Sequence, residues 1–76
     1  MGGVAVIGER TRITDLAAGG AVPYPADTPD EVRRAWAELL LDTAVVVLTP
    51  AAAQALQAQL DVPPSPDRPL VVVMPP

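Results

Sequence analysis

The tetrapeptide Gly8-Glu9-Arg10-Thr11 follows an apolar run and offers a carboxylate, a guanidinium and a hydroxyl within one turn. In an open α/β sheet, the loop after the first strand lies where ligands bind, at the point where the strand order reverses. If such a loop opens a helix, its backbone N–H groups can cradle a phosphate. The dinucleotide fingerprint needs further glycines in this turn, and only Gly8 is present. A Walker-type phosphate loop needs a lysine, and all five basic residues of this chain are arginine. The simpler reading is that Gly8 makes a tight strand-to-helix turn. Thr49-Pro50 follows another apolar run in the same manner. The candidate binding or contact residues are therefore Gly8, Glu9, Arg10, Thr11, Thr49 and Pro50.

Other chemistries find less support. A receiver-type phosphorylation site gathers acidic residues after its first strand, an aspartate after its third and a lysine after its last. Here Glu9 stands alone, Thr49 takes the second place and Pro75 the third. Magnesium needs several oxygen ligands converging on one point, which this pattern does not supply. Asp27 and Asp30 suit helix capping, and Asp42 suits a helix exit, so no acid–base pair emerges with Asp15. The chain has neither histidine nor cysteine. This excludes zinc sites built on those residues, histidine-activated nucleophiles and disulfides. A net charge of −4 opposes binding to nucleic acid or to an anionic membrane. No apolar run approaches the roughly 20 residues that span a bilayer, and Met1-Gly2-Gly3 leads into a strand without a charged leader. A soluble, cytoplasmic domain without cofactor or metal is the expectation.

The elements that must position these residues are legible. Val4-Ala5-Val6-Ile7, Ala44-Val45-Val46-Val47-Leu48 and Leu70-Val71-Val72-Val73-Met74 are strand-length, largely β-branched and apolar throughout. Such strands are covered on both faces, as in a parallel sheet between helices. A weaker strand lies around Ala21-Val22-Pro23, its proline suited to an edge. Thr28-Pro29-Asp30-Glu31 carries an N-cap threonine, a proline at the first helical position and a glutamate that completes a capping box. Val32, Ala35, Trp36, Leu39 and Leu40 then form one helical stripe, which makes Trp36 a core residue. Arg33 and Arg34 flank it as a solvated edge.

Thr49-Pro50 starts another helix, with Ala52, Ala53, Leu56 and Leu60 on its apolar face. The proline-rich stretch 62–69 is an extended loop. A short first helix, near Ile13 to Ala18, stops at Gly19-Gly20. The order β-α-β-α-β-α-β predicts one α/β domain over residues 1–76, a small doubly wound, Rossmann-like sheet with helices on both faces. Right-handed crossovers give its four parallel strands the order 2-1-3-4.

This order of pieces resembles the F subunits of the V-type and A-type rotary ATPases. Val4-Ala5-Val6-Ile7-Gly8-Glu9 is similar to that family's first strand and turn, and Gly19-Gly20 to its lead into the second strand. The segment from Thr28-Pro29-Asp30-Glu31 to Leu40 resembles the helix that follows. Ala44-Val45-Val46-Val47-Leu48-Thr49 resembles the third strand running into a threonine-started helix, and Leu70-Val71-Val72-Val73-Met74-Pro75 the last strand. The resemblance implies a non-catalytic part of the rotating central stalk, held beside a coiled-coil subunit and other rotary ATPase subunits. There it would help couple ATP turnover to ion transport, at the membrane's edge through the complex. Family members usually continue past the last strand into a segment that packs along the stalk, whereas this sequence ends at Pro75-Pro76. The alternative function is a small doubly wound ligand- or nucleotide-binding domain, with a pocket lined by the same loops.

Overall fold

A computed structural model describes residues 3–17, 20–39, 43–61 and 68–75. In chain order the elements are β1 (Gly3–Gly8), α1 (Arg10–Ala17), β2 (Val22–Pro25), α2 (Pro29–Leu39), β3 (Thr43–Leu48), α3 (Pro50–Ala55), α4 (Gln57–Leu60) and β4 (Leu70–Val73). The strands form one sheet in the order β2-β1-β3-β4, and every pair is parallel. This is the α/β class and the strand order that the apolar runs predict. The proline-bearing strand, β2, takes an edge and begins at Val22, where the missing N–H of proline is tolerated.

Register partners in a parallel sheet share a face. Ala5 and Ile7 pair with Val46 and Leu48 across β1 and β3, and Ile7 pairs with Tyr24 of β2. These residues meet Val32, Ala35, Trp36 and Leu39 of α2 and Ala52 of α3 in one buried core. The stripe read from the sequence is thus the buried face of α2, and Trp36 is a core side chain. Leu40 and Asp42 lie outside the described residues.

The start of α2 forms as a capping box. Glu31 N donates to Thr28 Oγ1 at 3.2 Å, and Thr28 N donates back to Glu31 Oε1 at 3.1 Å. Asp27 N also donates to Glu31 Oε1, at 3.0 Å. The box thus satisfies the N–H groups of Thr28 and Glu31 at the start of the helix. Arg33 and Arg34 are exposed, as expected, and Arg33 reaches Asp30 at 2.6 Å. That pair is solvent-facing and contributes little.

Two elements differ from the sequence expectation. Helix α1 begins at Arg10 rather than near Ile13. The Glu9 carbonyl accepts from Arg12 N at 2.9 Å and from Ile13 N at 3.2 Å, so the turn residues are themselves helical. At the other end Gly20 has φ of 96°, a left-handed value that glycine adopts without steric cost. Ala18 and Gly19 lie outside the described residues. The helix after Thr49 is divided at Leu56, whose N–H is shared between the carbonyls of Ala52 and Ala53 at 3.1 and 3.2 Å. This tightening toward a 3₁₀ turn ends α3, and α4 resumes at Gln57. Of the proline-rich stretch, only Arg68 and Pro69 are described.

Coverage of the sheet is uneven. Val6 and Ile13 are buried, and α1 lies against β1 and β2. Val4, Leu70 and Val72, which share the face of Val6 by register, remain exposed among the described residues, as do Val22 and Val73. The expectation that each strand is covered on both sides therefore fails toward β4. The reason is geometric: α1 lies over the half of its face formed by β1 and β2.

Thr28→Ala is expected to lower stability by about 1 kcal/mol through loss of the cap. Arg33→Ala is expected to shift it by no more than about 0.5 kcal/mol. Urea denaturation of the two variants, read by circular dichroism, checks both values.

Candidate functional site

The C-terminal ends of β1, β2 and β3 converge where the strand order reverses. The sheet ladder extends into the loops there. Ala26 N donates to Gly8 O at 2.8 Å and Thr49 N donates to Ile7 O at 3.2 Å. These bonds draw the residues after β2 and β3 to either side of the loop after β1.

Thr49 joins two of these segments. It is fully buried, so its hydroxyl must find partners inside the protein. The hydroxyl donates to Glu9 Oε1 at 2.6 Å and accepts from Ala52 N at 3.3 Å, capping α3. Pro50 then occupies the first helical position, where its lack of an N–H costs nothing. Gly8 is required for this fit. A Cβ there would overlap Thr49 Cγ2 and lie 2.7 Å from Oγ1 and 3.0 Å from Cβ. Its role is close approach, in accord with the turn reading.

Glu9 is half-buried. The Thr49 hydroxyl, and then the residue's own backbone N–H, hold its carboxyl below the ordinary value of 4.5, with a smaller contribution from the Arg12 guanidinium. Burial and the neighbouring Asp27 oppose that shift. Glu9 is therefore an anion at neutral pH.

The structure brings Gly8, Glu9 and Thr49 together and sets Pro50 beside them. Arg10 takes part through its backbone, because its N–H donates to Asp27 Oδ1 at 3.1 Å. Thr11 is exposed on the first turn of α1. Asp27 thus caps α1 from 17 residues away, while Thr28 caps α2. The sequence suggests capping for Asp27 but not which helix it caps, since that depends on β2 lying beside β1.

A cleft of about 360 Å³ opens next to these residues. This cleft is set to one side of the loops that carry Gly8, Glu9, Arg10, Thr11, Thr49 and Pro50. Of those six only Glu9 lines the cleft, and the walls come from Ala26, Asp27, Val32 and the Ala52 and Ala55 face of α3. The reason is that Gly8 and Thr49 fill the space between their own loops. Among the described residues, no group of three or more carboxylates is placed to hold a metal ion.

Gly8→Ala is expected to destabilise the fold by about 1–3 kcal/mol through overpacking, and Thr49→Ser, which removes the overlapped methyl, is expected to recover part of that loss. A double-mutant cycle measures this coupling. Because Glu9 is depressed in the folded state, its stabilising contribution is complete above its unfolded value and is lost as pH falls through the lower folded one. Wild type should therefore lose stability relative to Glu9→Gln as pH falls below about 4.5, as thermal denaturation across pH 3 to 7 would show.

No helix among the described residues is long and apolar enough to cross a membrane. A comparison with curated proteins found no match. The family model described as ATP synthase (F/14-kDa) subunit matches residues 4–76. That span contains every strand and helix from Val4 onward, including the Gly8–Thr49 contact and the α2 capping box. The chain belongs to this family, the F subunits of the V/A-type rotary ATPases.

Proposed function

We propose that this chain acts as a non-catalytic central-stalk component of a V/A-type rotary ATPase, beside a coiled-coil subunit, where it helps couple ATP turnover to ion transport. The observation that carries the reading is the family match over residues 4–76. The chemistry of the sheet's C-terminal edge agrees with it. Polar groups there are engaged in holding loops: Glu9 with Thr49, Asp27 with the start of α1, and Glu31 with Thr28. A reactive site instead needs groups poised for a substrate, with protonation states matched to proton transfer. Glu9 is shifted toward the anion, away from the range of a general acid near neutral pH.

Of the loop cluster Gly8, Glu9, Arg10, Thr11, Thr49 and Pro50, the exposed Arg10 and Thr11 and the half-buried Glu9 and Pro50 serve in this reading as part of the surface turned to neighbouring subunits, braced from beneath by buried Gly8 and Thr49. The chain sits peripheral to the membrane, on its cytoplasmic side, by way of the complex. Rigid, cross-linked loops suit such a surface because little ordering entropy is lost on docking.

The test is co-expression of the full chain with the coiled-coil stalk subunit of the same source. A stoichiometric complex on size-exclusion chromatography, with no ATP hydrolysis by the chain alone, is the expected result. Failure to form that complex, or turnover of ATP by the isolated chain, would overturn the assignment.

A further inference from the structure

The cleft beside Glu9 has a composition that selects its occupant. Its walls are apolar, from Ala26, Val32, Ala52 and Ala55, and its charged lining residues are Glu9 and Asp27. No arginine lines it. Each carboxylate is anchored within the protein: Glu9 accepts through Oε1 from the Thr49 hydroxyl and is also held by its own backbone N–H, and Asp27 accepts through Oδ1 from Arg10 N. The anchoring is stiff, since the Thr49 hydroxyl is itself buried and tied to Ala52 N. Preorganised acceptors above an apolar trough are complementary to a cation with an apolar stem.

We propose that this cleft receives an arginine side chain from a partner protein of the same complex. The methylenes of arginine pack along the alanine and valine walls while the guanidinium meets the two carboxylates. Charge-assisted hydrogen bonds are stronger than neutral ones, and arginine is enriched among the residues that anchor protein interfaces. A volume of about 360 Å³ lies at the small end of ligand pockets, which suits one long side chain with its flanking backbone. Phosphate-bearing ligands are disfavoured, because both charged groups in the lining are anionic. A divalent cation would want six or more oxygens, and most of the lining is hydrocarbon. The identity of the partner as a rotary ATPase component rests on the function proposed above; the cleft chemistry does not, and the two are measured separately.

The first arm titrates the full ¹⁵N-labelled chain with acetyl-Ala-Arg-Ala-amide and with its citrulline counterpart, which is the same shape without the charge. Amide shifts of Ala26, Asp27, Ala52 and Ala55 with the arginine peptide alone are expected. They should be lost in Glu9→Gln/Asp27→Asn, whose side chains keep acceptors for Thr49 and Arg10 N, and in Ala51→Trp, which blocks the cleft from an exposed position. Circular dichroism at pH 7 establishes that both variants fold. Absence of shifts, equal shifts with both peptides, or shifts that persist in the folded variants would each overturn the proposal.

The second arm measures assembly with the coiled-coil stalk subunit and the other rotary ATPase subunits. The double variant should bind about tenfold more weakly, with wild-type binding falling as salt rises. Wild-type affinity in both variants would overturn the cleft as the contact while leaving the stalk assignment standing. No assembly even by wild type would overturn the stalk assignment and the partner's identity together.

Discussion

The fold depends on one constraint, the close approach of Gly8 to Thr49. A side chain at position 8 would strike the threonine, and the threonine hydroxyl has nowhere to go except Glu9 and the start of α3. In this contact the loop after β1, the loop after β3 and the first turn of α3 are fixed at once. The neighbouring loop after β2 is drawn in by the Ala26–Gly8 bond and by Asp27, whose carboxylate caps α1. The loops are therefore braced against one another at the place where an open sheet ordinarily binds a ligand, and the open space moves sideways into the cleft between α2 and α3. A chain this short buries only about 60% of the surface its unfolded form exposes, so bracing at one end of the sheet carries weight that a larger core would otherwise supply.

Much of this is legible in the residues. The apolar runs identify β1, β3 and β4, and uninterrupted β-branched residues imply parallel pairing; the 2-1-3-4 order then follows from right-handed crossovers. Thr28 and Glu31 announce the start of α2 because both halves of a capping box are local in sequence. Gly8, Glu9 and Thr49 can be placed together because all three end strands that the topology makes adjacent.

What the residues do not announce is nonlocal. The bond from Arg10 N to Asp27 depends on β1–β2 register, which pairs Gly8 with Pro25 and which no residue pattern states. The division at Leu56 is hidden because an apolar face at helical spacing persists across a tightened turn. The cleft is hidden because small residues line it: Ala26, Ala52 and Ala55 read as ordinary core or helix formers, and their smallness is what leaves room. The uneven coverage of the sheet escapes for a related reason, since a run of valines signals a strand that would gain from burial, not one that obtains it.

The exposed valines of β4 and the prolines that bracket them bear on the behaviour of this chain in concentrated solution. An edge strand reading Leu-Val-Val-Val, with Leu70, Val72 and Val73 open to water, is a template on which strands of other molecules could anneal. Pro69 stands immediately before it and Pro75 shortly after. Neither can donate a backbone hydrogen bond to an added strand, which limits any growing ladder to a few residues. The prolines thus act as gatekeepers, leaving the sheet edge available to side-chain contact while discouraging the repetitive pairing that leads to fibrils.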